Sequence, residues 1–105
     1  RKMHIYDTVK GENIACFEGG GYMRFAGEDN RYVLVSSYSE DFGGVMLTYE
    51  NHFLYDLEEN RTVLDGMRAI DCVEMDGKCY FNTASKSRCV LYDDSLGPVV
   101  TTYID

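Results

Sequence analysis

Apolar and polar residues alternate along this chain in short runs closed by Gly, Asp or Asn, a two-residue period that predicts β-strands throughout. Met3 to Val9 alternates with a break at Asp7, and Ile14 to Phe17 is short and mixed. Tyr22 to Ala26 alternates and enters the turn cluster Gly27-Glu28-Asp29-Asn30. Arg31 to Tyr38 sets Tyr32 and Leu34 on one face and Val33 and Val35 on the other, so both faces are expected to be partly covered. Val45 to Leu57 is nearly continuous strand material, with a turn centred on Asn51 expected at the polar interruption Glu50-Asn51-His52. Arg61 to Leu64 and Met67 to Val73 flank Asp65-Gly66, a two-residue turn signal. Pro98 opens the last strand, Val99 to Ile104, where its missing amide interrupts no ladder.

These runs give eight or nine short strands and no long helix. Asp56 to Asn60 suits one helical turn at most. The expectation is a single all-β domain over residues 1–105, built as a small antiparallel barrel or a two-sheet sandwich. No internal repeat or linker divides it. The triplet Gly19-Gly20-Gly21 reads as a flexible or bulged connection, because no helix-forming stretch or Lys-Ser/Thr follows to make a phosphate loop.

Three of the four cysteines fall in Asp71 to Tyr92, which reads as two linked hairpins. A three-residue loop Met75-Asp76-Gly77 would face Val73 to Cys79 and point Cys72 and Cys79 to opposite sides. A second turn centred in Thr83-Ala84-Ser85 would oppose Cys79 and Cys89, which suits a disulfide and leaves Cys16 for Cys72. Two disulfides are therefore expected, and with them an extracellular or otherwise oxidising compartment. The opening Arg1-Lys2-Met3-His4 lacks a signal-peptide run, as a processed secreted protein would. Asn60-Arg61-Thr62 matches the N-glycosylation pattern at an expected loop. The cysteine spacing does not suit zinc, and neither a metal nor a cofactor is expected.

Charge narrows the partners. A formal net charge of -8 repels nucleic acid and anionic membranes on average and favours a partner with a basic surface. No stretch is apolar for the roughly 20 residues a membrane span needs. Nine Tyr and five Phe supply strand packing and recognition alike.

The enzyme case is thin. His52 beside Glu50 is the starting point for a small ribonuclease, with Arg24, Arg31 and Arg88 as charge stabilisers, but nothing brings these groups together. The acidic pairs Glu58-Glu59 and Asp93-Asp94 point to opposite strand faces, and Glu28-Asp29-Asn30 lacks a calcium-loop pattern. No catalytic residue is assigned. The preferred function is an extracellular, non-catalytic protein-binding or inhibitory module. Its expected contacts are Tyr38, Phe42 and His52, with Glu40 and Asp41 steering a basic partner. Other exposed-looking combinations are Tyr49 to Phe53 and Lys86 to Arg88. A small-ligand carrier inside a barrel is the alternative.

Overall fold

A computed structural model describes residues 2–40 and 47–103, those at 38–40 and 47–50 as backbone only. Its strands are β1 (Lys2–Asp7), β2 (Glu12–Glu18), β3 (Gly20–Ala26), β4 (Tyr32–Glu40), β5 (Leu47–Asp56), β6 (Arg61–Met67), β7 (Ala69–Met75), β8 (Lys78–Ala84), β9 (Arg88–Asp93) and β10 (Pro98–Tyr103). They form a β1–β2 hairpin, a four-stranded sheet β3-β4-β5-β6 and a four-stranded sheet ordered β10-β9-β8-β7, antiparallel throughout. Neither a closed barrel nor a two-sheet sandwich results. The arrangement is three layers, with the sheet β3–β6 in the middle.

The reason lies in β4 and β5, whose side chains are apolar on both faces. Tyr32, Leu34 and Leu54 pack with Ile70 and Phe81 of the third layer. Val33, Val35, Phe53 and Tyr55 pack with Met3, and around them lie Ile5, Ala15 and Phe17 of the hairpin. A sheet apolar on one face would close with one partner, but this one needs two. Each large side chain so buried contributes about 1.5–3 kcal/mol. Edge-to-face ring contacts join the layers, Phe17 to Phe53 and Tyr55 on one side and Tyr32 to Phe81 on the other.

Several local expectations are corrected. Strand β5 runs through Glu50-Asn51-His52 without a turn. The polar side chains there are served sideways: Asn51 donates to Asp65 at 2.9 Å, and His52 shares a 2.8 Å hydrogen bond with Ser36. Asp65-Gly66 is a bulge inside β6, where the register slips by one residue between His52↔Met67 and Leu54↔Leu64. The chain passes from the second layer to the third through Arg68 alone, between β6 and β7.

The cysteine pairing fails through one turn. The loop after β7 has two residues, Asp76 and Gly77, both at positive φ, with Met75 opposite Lys78. That one-residue shift against the expected loop reverses which side chains share a face. Cys72 and Cys79 now lie on the same face as diagonal neighbours, since Cys72 opposes Phe81 and Glu74 opposes Cys79. The next register puts Cys89 opposite Ala84, away from Cys79. Cys16 stands in the hairpin opposite His4, with the middle sheet between it and Cys72. All four cysteines are free thiols, so neither expected disulfide forms.

The glycine triplet is a tight crossing from hairpin to sheet. Gly20 and Gly21 already pair with Tyr38 and Ser37 in the β3–β4 ladder. A Cβ on Gly21 would overlap the carbonyl oxygen of Ser36, so the close strand approach requires glycine there. Gly21→Ala is expected to lower stability by about 1–3 kcal/mol by forcing β3 off β4. Leu54→Ala, at a side chain with 0% exposure, is expected to cost about 2–5 kcal/mol. Urea denaturation of both variants checks these values.

Candidate functional site

Exposed apolar side chains, Tyr22, Met23 and Phe25, lie along β3, an edge strand of the middle sheet. Met23 and Phe25 face the hairpin side of that sheet, sharing it with Val33 and Val35 through the pairs Met23↔Val35 and Phe25↔Val33. The hairpin covers β4 and β5 but leaves this margin open, and Phe25 is 63% exposed. Beside it stands β1, paired among the described residues only with β2.

The result is a groove of about 250 Å3 with one wall of strand edge and an apolar floor. His4, Ile5 and Tyr6 of β1 line one side, and Met23, Arg24, Phe25 and Val33 line the other. An unpaired edge offers N–H and C=O groups in a row, and the floor offers contacts to alternate side chains of an added strand. On the opposite flank of β3 a second, open groove of about 460 Å3 runs to β7, with His52, Ser36, Ile70 and Asp71 in its lining. Arg24 lies between the two grooves and reaches Asp71 at 3.8 Å.

Of the residues expected to carry function, only some meet. His52 and Arg24 do line one groove, the second. Arg31 and Arg88 lie elsewhere, at the turn before β4 and the start of β9. Ser36 and His52 are directly opposed in the β4–β5 ladder, so their 2.8 Å contact follows from register. Tyr38 and Glu40 lie on the β4 backbone opposite Tyr49 and Leu47. Asp41 and Phe42 fall outside the described residues. Asn60 is exposed at positive φ in the β5–β6 turn. Among the described residues no group of three or more His, Cys, Asp or Glu side chains is arranged to hold a metal, and no helix is long and apolar enough to cross a membrane.

Arg31 is engaged in an ion-pair cluster at the start of β4. Its guanidinium grips Asp56 with Nε to Oδ1 at 3.2 Å and Nη2 to Oδ2 at 2.8 Å, and Glu58 and Glu59 approach it at 3.5 and 3.4 Å. Asp56 has no exposed surface and also accepts from the N–H groups of Glu58 and Glu59. Burial alone would raise the Asp56 carboxyl. Bonds from Arg31 and from those two amides outweigh it, and the carboxyl is held below its ordinary value. The same contact raises Arg31. Tyr32 donates its hydroxyl to the Asp94 carbonyl at 2.8 Å, and burial pushes that phenol up. Burial likewise pushes up the Cys79 thiol beside Cys72. This cluster ties the turns after β5 and β9 to the start of β4, with Arg31 committed to Asp56.

The sequence signals for the β1–β3 groove were weak. Tyr22, Met23 and Phe25 read as ordinary strand alternation, and only the three-layer arrangement shows that they stay uncovered.

Because the folded-state Asp56 carboxyl is depressed, its stabilisation is complete above the ordinary carboxylate value near ~4 and is lost as pH falls through its lower folded value. Asp56→Asn is expected to cost about 2 kcal/mol at neutral pH and to flatten the acid limb below pH ~4. Urea titrations between pH 7 and 2 measure both effects. Comparisons with family models, with curated proteins and with solved structures give no match.

Proposed function

We propose that this chain is a non-catalytic protein-binding module that takes up an extended segment of its partner along β1. The observation that carries this is the edge of β1, unpaired among the described residues, standing beside an apolar floor of Met23, Phe25 and Val33. Main-chain bonds to such an edge supply affinity, and every second side chain of the added strand meets the floor. On this reading the contacts lie beside β3.

Charge favours a basic partner. The net charge of -8 raises the encounter rate with positively charged segments and penalises acidic ones. Ligand carriage inside a barrel loses its basis, because the sheets do not close. The free thiols remove the ground for assigning an oxidising compartment.

Fluorescence anisotropy with labelled peptides of alternating apolar and Lys residues tests the binding. Saturable binding weakened about tenfold or more by Phe25→Glu and by added salt is expected. Slowed amide exchange along β1 in the complex is the second expected result. Binding that ignores Phe25→Glu and leaves β1 exchange unchanged would refute the groove.

A further inference from the structure

Three strand ends in different layers are built alike. Strand β1 ends Ile5-Tyr6-Asp7, β5 ends Leu54-Tyr55-Asp56 and β9 ends Leu91-Tyr92-Asp93. Each Asp folds the turn that follows it with one carboxylate oxygen. Asp7 Oδ1 accepts the N–H of Val9 and Lys10 at 2.9 and 3.0 Å. Asp56 Oδ1 accepts those of Glu58 and Glu59 at 2.9 and 3.2 Å, and Asp93 Oδ1 those of Ser95 and Gly97 at 3.0 and 2.8 Å. After each turn comes the strand pairing on the same hairpin: β2, β6 and β10.

The second and third layers thus repeat one four-stranded unit, and the β1–β2 hairpin matches its last two strands. Orientation repeats as well. The residue before Tyr points forward along the stack: Ile5 onto the middle sheet, Leu54 onto the third. The Tyr points backward: Tyr55 toward the hairpin, Tyr92 toward the middle sheet. By the same rule Leu91 points forward from the third sheet, where no further layer lies among the described residues.

That forward face is prepared for cover. Val73, Met75, Cys89, Leu91 and Val100 line an open groove of about 350 Å3 on it, with Val100 opposite Leu91 in register. Met75 and Val100 are exposed. The matching position in the middle sheet, Leu54, has 0% exposure because the third sheet covers it.

We infer that the open face of the third sheet is an unfilled interface of a repeating stack, and that its occupant is a further four-stranded antiparallel sheet with an apolar backward face. Face-to-face repetition of four-stranded sheets is how propeller blades and related arrays satisfy each apolar face with the next sheet. A second copy of this chain is a poor substitute. Its own backward face is the hairpin exterior, with His4 and Cys16 exposed, and two chains at -8 repel. This interface is on a different layer from the β1 groove and does not depend on strand addition there.

The test places the photo-crosslinking residue p-benzoylphenylalanine at Val100 of the full chain, in the cells that make it, and maps the crosslinked peptide by mass spectrometry. Crosslinks into a β-rich segment with its own apolar-Tyr-Asp strand end are expected. Crosslinks to a second copy of the chain, to lipid or to nothing overturn the inference. In parallel, Leu91→Lys and Val100→Lys are expected to leave the melting temperature of the purified chain within ~2 °C, while Leu54→Lys abolishes cooperative unfolding. Should Leu91→Lys be as damaging as Leu54→Lys, the face is already satisfied within the chain and the inference fails.

Discussion

The structure depends on a sheet that cannot be left half covered. Strands β4 and β5 bury Tyr32, Leu34 and Leu54 on one side and Val33, Val35, Phe53 and Tyr55 on the other. Water on either face would forfeit the hydrophobic gain of that side, so the chain must supply cover before and after the middle sheet. The hairpin comes first and the third sheet last. Order in sequence becomes order in the stack, which is why the connections can be as short as Gly19 and Arg68.

Charged groups act where the layers need fastening at their rims. Asp56 sits at the end of β5 with Arg31 across from it, and Asp94 receives Tyr32 from the neighbouring layer. An ion pair with one carboxylate fully enclosed gives up hydration, and backbone amides of the turn recover part of it. The carboxylate therefore fixes geometry at the seam, while cohesion comes from the rings and aliphatic chains between the sheets.

Strand content was largely legible in the sequence, because a period of two survives whatever the sheets do next. The two-sided burial of β4 was visible too, in Tyr32-Val33-Leu34-Val35. Closure was not, since alternation says which face is apolar and nothing about how many layers it meets. The cysteines show how little separates two outcomes: reading Asp76-Gly77 as part of a three-residue loop set Cys72 and Cys79 on opposite faces, and the actual two-residue turn reunites them. Asp65-Gly66 carried a true signal for positive φ that the fold uses as a bulge. The repeated Tyr-Asp strand ends are faint in the sequence because their spacings are unequal and the residues around them differ. Only the shared bonding of Asp7, Asp56 and Asp93 reveals that they are one device. The margin of β3 was hidden for a related reason: which aromatic side chains stay wet depends on how far a neighbouring layer extends.

Among the described residues the two apolar clusters share none, and only the middle sheet belongs to both. Cooperativity in such a molecule is passed from neighbour to neighbour. The hairpin can fray while the contact between second and third sheets persists, and the third sheet can loosen while the hairpin stays seated. Strands β4 and β5, held from both sides, are then the last to exchange their amide protons, and the outer strands keep the freedom to adapt to whatever comes to rest against them.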